Sequence, residues 1–321
     1  MLSRVADNLY WMARYMERAE NVARLIDVSL QVMLDLPQRE AQLLRKNWQP
    51  LLVCLDLKEE FCRRHNTWDY KTATEFLVLE NNNPYCLLNQ LKSARENARA
   101  IREEISTEMW EQINRTYLWS ISRQAHQLFS KNPYEFFNRI KQDSHLFQGI
   151  TDATMAHHEG WHFLQIGKYL ERAEKTSRFL DNPLLQSLDP LFSWVAILQS
   201  CSARQAYQKR YRGTPQPEKV IEFLFHDPFF PRSMSYCARQ IEFFLSQIAL
   251  SHKTQFQTLP PYKAWKILWN TLTKTPKNFF KADVLHQTVD RIQLNLNTLD
   301  EAIFKTYLCY HLDQTPAQLE Q

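Results

Sequence analysis

Tyr15 to Asp27 reads YMERAENVARLID, and Tyr169 to Asp181 reads YLERAEKTSRFLD. Seven of these thirteen positions are identical, 154 residues apart: Tyr15/Tyr169, Glu17/Glu171, Arg18/Arg172, Ala19/Ala173, Glu20/Glu174, Arg24/Arg178 and Asp27/Asp181. Apolar positions exchange like for like (Met16 to Leu170, Leu25 to Phe179, Ile26 to Leu180), whereas most identities are charged. A solvated helix face drifts the other way, so this repeat is the expected functional centre.

At about 100° per residue, Glu17, Glu20, Arg24 and Asp27 share one face and Val5, Leu9, Met12, Met16 and Ala23 a roughly opposite one. The second copy keeps that frame with Phe163, Ile166, Leu170 and Ala173. Each stretch therefore reads as an amphipathic helix. Alone, such a charge ladder is usually a surface feature worth about 0.2–0.5 kcal/mol per pair. Its retention in two copies argues for more.

The chain has 321 residues, net charge +4 and only four glycines, Gly149, Gly160, Gly167 and Gly213. Average usage is about 7%, and a Rossmann turn or P-loop needs several glycines close together. A nucleotide cradle of that kind is excluded, and no cofactor is expected. Basic residues are interspersed with acidic ones, so no nucleic-acid stripe forms; the best cluster, Arg204, Lys209, Arg210 and Arg212, sits near an expected helix C-terminus. Six cysteines form no C-x-x-C pair and read as buried thiols of a cytoplasmic protein. Neither a signal peptide nor an apolar run of membrane-span length is apparent.

Fourteen prolines punctuate the helical patterns. Ser3 reads as the cap of a helix to about Leu36, and a region broken by Pro50 runs to Arg64. Helices follow over 72–80, 85–104 and 107–129, the last capped by Ser106. Asn132-Pro133 opens one to about Phe147, and Asp152 precedes the second-copy helix to Asp181. Asp189-Pro190 starts one ending near Arg212; others cover 217–226, 232–250, 261–273 and 280–312, before a polar tail, 314–321. Sustained period-2 alternation is absent, so the fold class is all-α: a bundle of about 10–12 helices with essentially no strand. The chain reads as one domain, with possible halves 1–147 and 148–313.

His158-Glu159-Gly160-Trp161-His162 matches H-E-x-x-H, whose histidines bind zinc one helical turn apart. The metzincin extension would want glycine at Gln165 and histidine at Lys168, and Gly160 weakens the helix. Glu159-x-x-His162 also fits half of a carboxylate-bridged di-metal site, but no second Glu-x-x-His exists. No metal is expected. Cys201 has no nearby histidine to activate it. Trp11, Trp110, Trp161 and Trp194 read as core fillers. Arg95, Arg99 and Arg102, around Asn97, form an arginine stripe that either pairs with acidic helices or receives an anion.

Taken together, SRVADNLYWMARYMERAENVARLID, NPYCLLNQLKSARENARAIREEISTEMWEQIN, LFQGITDATMAHHEGWHFLQIGKYLERAEKTSRFLD, Trp194 with SCSARQAY, and EFLFHDPFFPRSMSYC resemble the alpha-E family of bacterial helical proteins, over almost the whole chain. Glu159, Gly160, Trp161, Phe163 and Leu164 match the family segment before the second repeat, while His158 and His162 occupy positions the family does not hold to histidine. The resemblance implies a genomic partner, a circularly permuted ATP-grasp protein, often with a transglutaminase-like protein, and hence a system that makes or remodels peptide or amide bonds.

The expected function is thus a non-catalytic helical subunit binding an ATP-grasp ligase and its substrate. The expected binding residues are Arg18, Glu20, Arg24, Arg172, Glu174, Arg178, Arg95, Asn97, Arg99, Glu159 and Trp161. The alternative is an enzyme using Glu17 and Glu171 as paired general acid and base. A third reading has the Glu-Arg pairs locking a buried seam.

Overall fold

The computed structural model describes residues 1–181, 190–275 and 280–309. Among them are sixteen α-helices and no strand, so the all-α expectation holds. The polar tail 314–321, Asp189 and the end of the expected last helix lie outside the described residues.

The longest helix, α1 (Ser3–Asp35), is the axis of the bundle. It packs along α10 (Glu159–Leu180), α6 (Leu87–Ala100) and α9 (Pro133–Thr154). In turn, α10 carries α14 (Met234–Ser251) and α16 (Ala282–Ile303) on its other sides. Outside these lie α7 (Thr107–Ser120), α8 (Arg123–Lys131) and α15 (Pro260–Thr273). Short helices α2 to α5, over 38–46, 49–54, 58–62 and 70–78, fill the first long connection. The second contains α11 (Pro190–Ser200), α12 (Arg204–Tyr211) and α13 (Pro217–His226). No described helix is long and apolar enough to cross a membrane.

Burial corrects the amphipathic reading. Glu17, Glu20 and Asp27 are as buried as Leu9 and Met12, because helices cover α1 on several sides and its charged face meets α10. The helix is polar within, not polar outward.

Several boundaries move for local reasons. Ser3 is the first helical residue and Leu2 the cap, without a side-chain bond. The expected 107–129 helix is two, because Ser122 accepts from the Ala125 N–H and starts α8. Asn132 and Pro133 do open α9, but it runs on to Thr154, so a boundary at 147/148 would cut a continuous helix. The second-copy helix begins at Glu159, not after Asp152. The 190–212 helix breaks at Ser202, where φ is +53°. Cys62 is exposed and Cys309 half-buried, whereas Cys54, Cys86, Cys201 and Cys237 are buried thiols.

Helices α1 and α10 run parallel, with Arg14 meeting Glu171 and Glu17 meeting Arg172. Their closest approach is at Gly167: a Cβ there would lie 2.4 Å from the Tyr10 carbonyl oxygen. At Gly160 a Cβ would meet Leu9 Cδ1 at 3.0 Å. The glycines, seven apart, share one face and let the helices touch backbone to side chain. Gly167→Ala should cost about 1–3 kcal/mol by forcing the helices apart. Gly149→Ala, with nothing within 4 Å, should instead gain ~0.5–1 kcal/mol from helix propensity. Urea unfolding of the two variants checks the contrast.

Candidate functional site

The two repeat stretches lie side by side, and their Glu-Arg pairs cross reciprocally. Arg18 grips Glu171 bidentately, with Nε 2.7 Å from Oε1 and Nη2 2.8 Å from Oε2. In the mirror contact Arg172 Nε donates to Glu17 Oε1 at 2.9 Å. Each helix thus sends its arginine to the other's glutamate, as a pseudo-two-fold axis along the seam requires. The carboxylates are buried, Glu17 at 1% and Glu171 at 0% exposure. Such charges survive only with several donors each.

Those donors are present, but the halves supply them differently. Glu171 also receives Arg14 Nε at 3.0 Å and has Lys175 Nζ at 3.5 Å. Glu17 also receives Gln148 Nε2 from α9 at 2.8 Å and has Arg232 Nη1 at 3.0 Å. Arg232 lies just before α14, with Ser233 as that helix's cap, and bonds Glu20 and Asn21 as well. Lys175 stands where Asn21 stands in the first copy. One half therefore takes its extra cation from within the helix and the other from a distant loop.

The outer residues repeat more closely. Arg24 bonds Glu20, and Arg178 Nε bonds Glu174 at 3.2 Å, both one turn apart. Asp27 takes Lys141 from α9 at 2.6 Å, and Asp181 takes His286 from α16 at 2.8 Å. His286 Nε2 stands 3.5 Å from Asp290. Among the described residues these three form the one group whose donor atoms are close enough, within 4.8 Å, for a metal. The two ring nitrogens face different carboxylates, which is the arrangement of a charged histidine clamp; Asp181 pushes the His286 pKa up.

Burial raises the Glu171 carboxyl, but Arg18, Lys175 and Arg14 outweigh it and hold the group well below the usual carboxylate range. Against the same burial, Arg232 and Arg24 keep Glu20 well below that range too. Glu171 is thus a permanent anion at neutral pH with no free lone pair turned to solvent. It is not suited to general acid work, which needs a pKa near the working pH. The expected acid–base pair lies inside the packed seam, Glu17 and Glu171 both being buried.

Eight of the expected residues therefore converge: Glu17, Arg18, Glu20 and Arg24 with Glu171, Arg172, Glu174 and Arg178. The rest do not join them. Arg95 bonds Asn114 at 2.7 Å and Glu96 at 2.8 Å, Arg99 pairs with Glu96, and Arg102 lies over the Trp110 ring. The arginine stripe is spent locally, on Glu96 and on residues of α7, and Asn97 does not join the seam. Glu159 pairs with His252 and with the Met1 ammonium, while His162 stacks on Phe244 and Trp161 on His157. The side chains of the H-E-x-x-H stretch thus turn to separate partners. Burial pushes the Cys201 thiol up to about 12, which makes it inert.

Sequence reasoning missed Arg14 and Arg232. Arg14 donates to Glu171, Glu174 and Asp300 and is 4% exposed. Extending the repeat by one residue, where Arg14 aligns with Lys168, would have found it. No local pattern marks Arg232, since its partners are 211 and 212 residues away.

An all-α bundle built on a duplicated, buried Glu-Arg seam is the class these features define. The chain belongs to the Alpha-E family, described as a predicted alpha-helical domain with a conserved ER motif, which matches residues 1–308. It is similar to an uncharacterized protein of Mycobacterium bovis, 24% identical over 266 residues, covering 73% of this chain and 28% of the relative. A Mycobacterium tuberculosis protein, also uncharacterized, is 23% identical over the same coverage. The match thus takes up 28% of the length of these relatives. No solved structure matches.

Because Arg18 grips both oxygens of Glu171 and Arg172 bridges Glu17 and Gln148 through Nε and Nη2, a fork that only a guanidinium offers, Arg18→Lys and Arg172→Lys should each cost about 1–3 kcal/mol. Their double variant should cost less than the sum, since both act in one network. Glu171→Gln, leaving three cations facing a neutral amide, should cost about 3–5 kcal/mol at pH 7. The sign with pH follows from the lowered Glu171 and Glu20 values. Their contribution is complete above the unfolded carboxylate pKa of about 4.3 and is lost as pH falls below it. Melting temperature against pH should drop steeply there for the parent and less for Glu171→Gln.

Proposed function

We propose that this protein is a non-catalytic helical partner of a cytoplasmic ATP-grasp ligase system that forms or modifies peptide or amide bonds. It binds the ligase and helps present its substrate. The observation that carries this reading is the saturation of both seam glutamates by arginines inside the bundle, which makes the motif a lock for a rigid surface. Two further points support it. The four dispersed glycines leave ATP chemistry to another protein, which a circularly permuted ATP-grasp partner would supply, with a transglutaminase-like protein as a second candidate. The long relatives carry the matching segment beside much additional sequence, as a module that works next to other domains would.

Co-expression of the chain with a circularly permuted ATP-grasp protein tests the proposal. The two should elute as one complex of summed mass in size exclusion with light scattering. Calorimetry of ATP into the isolated chain should give no heat, and the ligase should turn over faster in the complex. Separate elution at micromolar concentration, or ATP turnover by the chain alone, would overturn it.

A further inference from the structure

The pseudo-two-fold seam has one cation without a counterpart arrangement, Lys168. It aligns with Arg14, and Leu164 aligns with Tyr10. In the first half, Arg14 Nη1 and the Tyr10 hydroxyl both donate to the carboxylate of Asp300, at 2.6 and 2.5 Å. Asp300 comes from α16, which packs against α10. In the second half no acid of the described residues takes that place. Glu17, the equivalent of Glu171, is turned to Arg172, Arg232 and Gln148, and Glu20, the equivalent of Glu174, to Arg24 and Arg232. Lys168 makes no hydrogen bond or ion pair among the described residues; its ammonium rests over the Tyr169 ring, 4.6 Å from the centroid.

Beside it is a small cavity of about 10 Å³, whose polar lining is Glu17, Gln148, Thr151, Gln165 and Lys168. That volume admits one water-sized group, which is the size of one carboxylate oxygen. Gln165 is 3% exposed, and among the described residues its amide makes no hydrogen bond although it lines this cavity. Gln165 and Lys168, neither with a hydrogen bond or ion pair among the described residues, thus line one cavity, at the position equivalent to where the other half of the molecule holds a carboxylate.

We propose that Lys168 and Gln165 form a carboxylate-binding subsite, in which a small carboxylic acid places one oxygen in the cavity and its charge on the ammonium, as Asp300 does on Arg14. The subsite does not depend on which enzyme the chain serves. Its electrostatics agree. Burial lowers the Lys168 pKa to about 8, with Arg172 adding to the effect and Glu17 and Asp152 opposing it. The charged or titratable groups facing it are Arg172 and Tyr169 on α10, Glu17 on α1, Asp152 on α9 and Cys237 on α14. An arriving carboxylate favours the ammonium and raises that pKa. Binding should therefore be insensitive to pH below about 8 and weaken above it, with a proton taken up.

The full chain, labelled with 13C at lysine, permits a direct test: the Lys168 Cε resonance, assigned by its loss in Lys168→Arg, is titrated with pH in chloride and in acetate. In ~0.1 M acetate at matched ionic strength, the midpoint should rise by at least about half a unit for Lys168 alone. N-acetylglycine and an end-blocked peptide with one internal glutamate distinguish the source. A shift with either supports the subsite, and the stronger one says whether a free acid or an acidic side chain occupies it. Gln165→Leu should reduce the shift. Lys168→Met removes a cation with no ion pair among the described residues and should melt as the parent does, yet bind neither probe by calorimetry. A midpoint that does not move, moves equally in inorganic phosphate, or moves for all lysines alike would overturn the proposal.

Discussion

Two buried carboxylates, Glu17 and Glu171, constrain everything around them. An ion of that size taken from water into a protein interior loses several kcal/mol of hydration even after relaxation. The loss is offset only if fixed donors occupy its lone pairs. Arg18 and Arg172 can do so because α1 and α10 run parallel and in register, and they stay in register because Gly167 lets the Tyr10 carbonyl approach. The glycine, the reciprocal pairs and the helix direction are thus one condition.

The halves satisfy that condition with different atoms. Lys175 supplies charge from within α10, where α1 has Asn21 and waits for Arg232 from the loop before α14. Such exchanges are available only when total charge near each carboxylate is conserved, since an uncompensated buried carboxylate costs more than any single pair returns. They let the two stretches keep the same residue types at the seam while the residues around them differ. They also leave Arg14 fully engaged and its equivalent, Lys168, without an acid.

The all-α class and the meeting of the two Glu-Arg stretches were legible in the sequence, because helix periodicity and matched charges are local signals. Burial of the charged face was one of three readings that the repeat left open, because periodicity reports that two faces differ, not what covers the second. The α7/α8 break at Ser122 and the run of α9 to Thr154 escaped for another reason. Both segments have strong helical patterns, and a serine inside one is a cap or an interior residue depending on whether its hydroxyl finds an N–H. Arg232 and Asp300 were illegible because their roles arise from contacts over 212 and 286 residues. The arginine stripe on α6 illustrates the converse: three aligned guanidiniums look like an anion site, yet Glu96, Asn114 and two aromatic rings absorb Arg95, with Glu96 also taking Arg99.

Conservation of charge type within one chain therefore has two physical origins here that composition cannot separate. A catalytic carboxylate must exchange a proton near neutral pH, which requires an environment that favours neither form strongly. A structural carboxylate requires the opposite, donors in such excess that the anion never protonates. Glu171, held well down by Arg18, Lys175 and Arg14, is of the second kind, and the bidentate demand on Arg18 is what distinguishes a seam motif from a surface ladder. The chemistry available to a ligand lies where that excess runs out, at the edge of the seam, where a cation remains that the fold itself does not neutralise.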